Sequence, residues 1–438
     1  MKKIGFSLLS LLITLSAFSQ EAQKIKFEEF DLDNGLHVIL HEDHSTPIVA
    51  VSIMYHVGSK NENPDRTGFA HFFEHLLFEG SKYIKRGEID DYIENAGGTL
   101  NANTTTDRTF YYEILPSNYL ELGLWIESER LLHANVEEIG IETQRKVVKE
   151  ERRMRYDNRP YGTWMEEIMK RAYSEHPYRW TPIGSMEHLD AAEEADYVNF
   201  YNTYYVPNNA TLSIAGDLDI EEAKALVKKY FKDIPRGEEV VRPNIVEPAL
   251  EAEVKDTVYD NVQLPAIFHA YRTPAQGTDD YYAVEMLSTL LARGNSSRLN
   301  KIMVDEKQLC VGAGSFPLTS EDPGLSINYG IANMGVDPAD VEANMDEIIK
   351  DLQENLIPEK EFQKLQNQIE NDFVSSNSTI VGIAESLANY HVYLGSAALI
   401  NDEIKRYRKV TREDLQKAAQ KYFTPDNRVS LYWLAKPQ

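Results

Sequence analysis

The sequence predicts an α+β chain built as a tandem pair of related domains, and three observations carry that expectation. Strand-like and helical segments come in blocks, without the strict alternation that marks a parallel sheet. Two stretches, "YYVPNNATLSIAG" at 204–216 and "YFTPDNRVSLYWLA" at 422–435, repeat an aromatic pair, a Pro-x-Asn and an apolar strand, with Pro207 and Pro425 close to half the mature chain apart. Between them, "DIPRGEEVVRPNIVEPAL" at 233–250 is rich in Pro, Glu and Arg and reads as a linker, which places a boundary near residue 240.

The elements follow in order. The opening "MKKIGFSLLSLLITLSAFSQ" has two lysines, an apolar stretch and small residues before Gln20, the layout of a secretory signal peptide cleaved near Ser19. No later segment approaches the roughly 20 apolar residues of a membrane span. The expected division is therefore a leader at 1–19, an N-terminal domain at 20–240 and a C-terminal domain at 241–438. "FDLDNGLHVILHEDHSTPIVAVSIMYHVGS" alternates apolar and polar residues around an Asn34-Gly35 turn and reads as strands. "FAHFFEHLLFEG" at 69–80 then has helical spacing. "GGTLNANTTTDRTFYYEIL", rich in Thr, Tyr and Phe, reads as two more strands, and "YLELGLWIESERLLH" returns to a helix.

The chain has 438 residues, 42% hydrophobic and 26% charged, an ordinary globular composition. Its net charge of -25, from 45 Lys and Arg against 70 Asp and Glu, argues against a phosphate backbone as partner, so nucleic acid is not expected. Cys310 is the sole cysteine, which excludes an intrachain disulfide, and its place between Leu309 and Val311 suggests a buried strand thiol.

The chemistry concentrates in "HFFEH". His71, Glu74 and His75 stand at i, i+3 and i+4 and share a helix face, amid Phe69, Phe72, Phe73, Leu76 and Leu77. Polar groups set among such residues cost several kcal/mol unless partnered. Histidines four apart can hold one Zn²⁺, and a carboxylate just before the second can act as general base on the metal's water, in the reversed order of the inverzincins. A catalytic zinc needs a third protein ligand, and "IETQRKVVKEERRMRY" at 141–156 supplies a candidate. An apolar stripe of Ile141, Val147, Val148 and Met154 centres near Glu151, whereas Glu150 points roughly 110° away, so Glu151 is the carboxylate expected inside. Gln144, two turns earlier on the same face, is a candidate hydrogen bonder to the site.

These residues resemble the pitrilysin family of zinc metallopeptidases, which includes insulysin and the mitochondrial processing peptidase. "HFFEH" is similar to the family's zinc helix, and Glu151 stands at its spacing for the third ligand. "GGTLNANTTTDRTFYYE" is similar to the edge strand that pairs with extended substrate, which marks Asn101, Ala102 and Asn103 as expected peptide contacts. "YVPNNATLSIAGD" also matches. The resemblance implies two homologous domains, each a largely antiparallel sheet packed with helices, forming half of a clamshell whose other half is a second subunit.

Three positions depart from the family pattern. Gln144 stands where the family often has a second glutamate. Anchoring "MVDEKQLCVG" on Gln308-Leu309 puts Val304 and Val311 where the family has the arginine and tyrosine that bind the substrate carbonyl. Valine offers no donor to an oxyanion.

The reading is an exported zinc metalloendopeptidase subunit, periplasmic or secreted, acting on unfolded peptides. One Zn²⁺ per chain is expected on His71, His75 and Glu151, with Glu74 as base and a homologous partner supplying an Arg–Tyr pair. The alternative is a non-catalytic assembly or peptide-binding subunit.

Overall fold

The computed structural model describes residues 24–242 and 244–437, so the leader expected at 1–19 lies outside the described residues. The Asn34-Gly35 turn joins β1 (Glu28–Asp31) to β2 (His37–Glu42), with Gly35 in the left-handed region at φ 88°. β3 (Ile48–Tyr55) follows, then β4 (Thr99–Thr104) and β5 (Thr109–Pro116) as an antiparallel pair, and β6 (Ala210–Gly216) enters after Pro207. They form one sheet in the order β1-β2-β6-β3-β5-β4, antiparallel throughout except where β6 runs parallel to β2.

A second sheet is built from β7 (Val254–Asp260), β8 (Ala266–Arg272), β9 (Cys310–Leu318), β10 (Leu325–Ala332) and β11 (Arg428–Ala435), in the order β7-β11-β8-β10-β9. Setting β1 aside, the two orders are the same permutation, and the strands after Pro207 and Pro425 occupy equivalent central places. In each sheet that strand makes the parallel pair, β6 with β2 and β11 with β7. The tandem α+β architecture is thus present at the level of strand order. Residues 236–242 and 244–253 form neither helix nor strand. Cys310 opens β9 as a buried thiol, which burial pushes up to about 11.

Each half lends a helix to the other's sheet. On the first sheet, Ile39, Ala50 and Ala215 pack against Ile380, Ile383, Ala384 and Leu387 of helix Ile380–Leu394. On the second sheet, Ala266, Phe268, Val429 and Trp433 pack with Ile168, Met169 and Ala172 of helix Trp164–Ala172. The opposite face of the first sheet, through Val38, Leu40, Val49, Val51 and Ile53, meets Phe69, Phe72, Phe73 and Leu76 of helix Phe69–Leu76. That sheet is therefore covered on both faces, and β4 is left as an edge whose outer side has no strand beside it among the described residues.

Candidate metal centre

The "HFFEH" segment forms a helix of 8 residues, Phe69–Leu76, too short to hold its shape alone. Packing holds it instead. Phe69 and Phe72 each stand 4.6 Å, centroid to centroid, from Tyr197, and Phe73 stands 5.3 Å from Phe200 and 5.2 Å from Tyr205. Its start is fixed by Gly68 at φ 98°, where a Cβ would also come within 3.1 Å of the Ile183 carbonyl oxygen. Buried Glu62 clasps the same end, Oε2 accepting from the Gly68 N–H at 2.9 Å and Oε1 from the Ala70 N–H at 2.8 Å. Burial pushes its carboxyl up to about 8, and those N–H groups pull against the rise.

With the aromatic side anchored, the other side presents His71, Glu74 and His75. The helix Glu138–Arg152 brings Glu151 to them, with Oε2 3.3 Å from His75 Nε2 and 3.7 Å from His71 Nε2. One nitrogen from each histidine and one oxygen of Glu151 lie within 4.8 Å of one another. The two imidazoles meet edge to face, 78° apart at 4.9 Å. Glu150 points away, 59% exposed against 16% for Glu151, and pairs with Arg153 at 3.1 Å. The stripe that singled out Glu151 differs from the expected one, because Ile141 and Val148 are buried while Val147 and Met154 are exposed. The inward line is Ile141, Val148 and Glu151, which follows the helical repeat more closely.

The electrostatics suit ligands for a cation. Burial, and then the neighbouring His75, push the His71 imidazole down, so it stands neutral with a free lone pair at neutral pH. Its Nδ1 is buried without a hydrogen-bond partner. Hydrogen bonding to His75 holds the Glu151 carboxyl below its ordinary value, and Arg155 pairs with its other oxygen at 2.7 Å. Burial pushes the Glu74 carboxyl up, and the Thr104 hydroxyl, donating to Glu74 Oε2 at 2.6 Å, pulls it back.

Sequence reasoning missed Thr104. It lies on β4 with Leu100 and Ala102, which pack toward the core beneath the helix, so the alternation of "TLNANT" carried the signal. Asn101 and Asn103 alternate to the other face, where Asn103 Oδ1 accepts from Arg108. Ala102 pairs with Tyr111 of β5, leaving the outer side of β4 open. Glu62 was also missed, since an acid in the irregular stretch "NENPDRTG" has no periodic signature. Gln144 donates to Glu79 Oε1 at 2.5 Å, not to the three converging side chains, and so meets the residues just beyond the helix end. Val304 lies half-buried in the helical turn Asn300–Glu306, and Val311, at the start of β9, is 52% exposed.

Residues 37–183 match the family model described as insulinase (peptidase family M16), and residues 193–369 match the one described as the peptidase M16 inactive domain. A zinc protease of Helicobacter pylori, PqqE, is 32% identical over 419 residues that span 94% of both chains. The chain belongs to peptidase family M16, the pitrilysin family of inverzincins. A crystal structure of a protease from Helicobacter pylori superimposes on this M16 chain with a TM-score of 0.90 at 29% identity, covering 93% of this chain and 99% of that one. The periplasmic protease PqqL of Escherichia coli matches at a TM-score of 0.77 and 20% identity, with 95% of this chain covering 48% of that one. One M16 chain of this length thus accounts for half of the longer protein's fold. No helix among the described residues is long and apolar enough to cross a membrane.

The clasp on the helix start should show in stability. Glu62→Ala leaves the Gly68 and Ala70 N–H groups buried without acceptors and is expected to lower unfolding free energy by about 1–3 kcal/mol, with Glu62→Gln, which keeps an acceptor, milder. Urea midpoints at constant slope measure this. An unchanged midpoint in Glu62→Ala would show that the clasp contributes nothing.

Proposed function

We propose that this protein is an exported zinc metalloendopeptidase subunit, periplasmic or secreted, that hydrolyses peptide bonds of unfolded peptides together with a homologous partner subunit. The observation that supports it most is the convergence of His71, His75 and Glu151 within 4.8 Å, with Glu74 on the same helix face. Two imidazoles and one carboxylate are the donor set of a catalytic zinc, and His71 neutral with Glu151 ionised are the protonation states such binding needs. A Zn²⁺ held there would polarise a peptide carbonyl and make water acidic enough to attack it near neutral pH.

The remaining work falls to the chain's own residues. Glu74 takes the proton of the attacking water and delivers it to the departing amide nitrogen, and Thr104 fixes the carboxylate through its 2.6 Å hydrogen bond. The open side of β4, at Asn101, Ala102 and Asn103, accepts the substrate as an added strand, which sets the scissile bond in register by backbone hydrogen bonds alone. Donors for the carbonyl oxygen are the missing part. Val304 and Val311 can supply none, and these valines also sustain the second reading, a peptide-binding subunit without turnover.

Zinc content tests the ligand set. Chain passed through a desalting column is expected to retain Zn²⁺ at this centre, with about one equivalent lost on His75→Ala or Glu151→Gln and far less on Glu150→Gln. Equal loss from the Glu150 and Glu151 changes, read by elemental analysis, would refute the assignment.

Glu74→Gln separates ligand from base. It should keep the zinc yet lower peptide hydrolysis by roughly 10²–10⁴-fold. Activity retained in that variant would remove Glu74 from the mechanism.

The partner is tested on an unfolded peptide substrate, with the chain assayed alone and then mixed with a homologous subunit that carries the Arg–Tyr pair. Activity is expected only in the mixture, and removing the partner's arginine should lower it by about the 10²–10³-fold of one oxyanion donor. Full chelator-sensitive activity from the chain alone would refute the need for a partner, and zinc binding with no activity in any mixture would favour the peptide-binding reading.

A further inference from the structure

A second set of metal-ligating side chains lies on the far face of the first sheet. In the β1–β2 hairpin Asp31 is directly opposite His37, and Glu29 is opposite Ile39. Directly opposed residues point to the same face, so Glu29, Asp31 and His37 share one side. It is the side of Ile39, under helix Ile380–Leu394, whereas Val38 and Leu40 point the other way, into the core beneath helix Phe69–Leu76. The last turn of Ile380–Leu394 carries His391, one turn beyond Leu387, which packs on this face. One ligand atom each from Glu29, His37 and His391 falls within 4.8 Å of the others. A cavity of about 280 Å³ adjoins the two histidines, lined by Asp31, His37, His56, Asn209, Arg242 and His391 among others, with Glu29 outside it.

The hydrogen bonding around His37 points to an occupant. Its Nδ1 lies 2.8 Å from Asp31 Oδ1, and a carboxylate only accepts, so Nδ1 carries the proton and donates. In the neutral ring, Nε2 then presents a lone pair. That nitrogen is buried, makes no hydrogen bond, and stands 3.4 Å from Glu29 Oε2. A lone pair facing a carboxylate oxygen is repulsive, whereas a cation between the two groups, or a proton on Nε2, makes the contact attractive, and Glu29, 37% exposed, leaves that place reachable from solvent. Carboxylate, imidazole and metal in a row is the arrangement by which proteins orient a ligating histidine. The other cation lining the cavity, Arg242, is committed to the His56 carbonyl at 2.7 Å and to Asn209 Oδ1 at 2.6 Å.

We propose that Glu29, His37 and His391 form a second metal site for a divalent ion of the zinc type, oriented by Asp31 and fastening the N-terminal hairpin to the helix lent by the C-terminal half. Two imidazoles with a carboxylate select borderline ions such as Zn²⁺ over Mg²⁺ or Ca²⁺. The His37 and His391 rings lie parallel, 3.5 Å apart, so an ion shared by both in-plane nitrogens requires one ring to turn. The ring torsion of histidine is broad, and His391 occupies a helix's final turn. Such an ion joins segments far apart in sequence and acts as a structural clip, on the face of the sheet away from Glu74.

The test removes the first triad and keeps the chain whole. Full-length protein with His71→Ala and His75→Ala is titrated with Co²⁺, whose visible absorption reports nitrogen and oxygen ligation, and with Zn²⁺ in competition. One ion per chain is expected. His391→Ala in that background should abolish uptake, and Asp31→Asn, an exposed change that leaves all three ligands in place, should weaken it roughly 10–100-fold. Circular dichroism of each variant separates lost ligation from lost fold. Absence of uptake in the parent, unchanged uptake in both variants, or nitrogen-15 spectra placing a proton on His37 Nε2 with zinc present would overturn the site.

Discussion

A two-turn helix does not persist in water, so everything at the candidate centre depends on the aromatic packing beneath Phe69–Leu76. Phe69, Phe72 and Phe73 lie against Tyr197, Phe200 and Tyr205, and this contact fixes the rotation of the helix about its axis. At 100° per residue, a fixed rotation determines where His71, Glu74 and His75 point. Glu62 and Gly68 then fix its position along the axis. The polar chemistry on one face is thus set by apolar contacts on the other, and a cavity under Phe73 would move the histidines as surely as a change at the histidines themselves.

The same sheet that backs this helix is closed on its other face by Ile380–Leu394, and the second sheet is covered in part by Trp164–Ala172. An exchange of covering helices makes neither half's core complete without the other. Apolar faces left bare would be large exposed patches, which soluble chains rarely carry. The consequence for the site is stiffness: the strands that carry Thr104 and the open β4 edge are built on a sheet buried from both sides, so the distance from Glu74 to that edge has little freedom to vary.

Much of this was legible in the sequence. The strand segments around Asn34-Gly35, the β4–β5 pair and the helix Leu120–His133 follow from period and turn chemistry, and the repeat around Pro207 and Pro425 pointed to two related α+β halves, whose sheets place the strands after those prolines in equivalent positions. That Glu151 faces inward and Glu150 does not followed from helical geometry, and its meeting with His71 and His75 from the resemblance, although the stripe used to orient it included Val147 and Met154, which face solvent. A hydrophobic residue on a helix next to an open site need not point inward, and periodicity alone cannot tell the two faces apart. The helix exchange left no trace in the sequence, because an amphipathic helix reads the same whichever sheet it covers. Gln144 likewise shares a face with Glu151 but meets Glu79, since a long side chain reaches along its helix as well as out from it. The His37–His391 pairing joins residues from opposite ends of the chain, and no local pattern connects them.

On the proposed reading, the division of labour between two subunits follows from where rigid supports can stand. A peptide added to β4 has the sheet on one side and helix Phe69–Leu76 beneath it, so the groups that activate water approach from below. A metal held there would take part of the charge that develops on the carbonyl oxygen from the same side as the water, and further donors to that oxygen would reach it from across the bound strand. No element of the first sheet occupies that side, because β4 is its last strand. Donors must therefore come from another body, either the second domain or a partner half. In this chain the second domain offers valines at 304 and 311, and Val311 stands 52% exposed with no donor to give. An arrangement with proton transfer and metal ligation on one half and oxyanion donors on the other leaves each half inert alone, which confines hydrolysis to peptides enclosed between them.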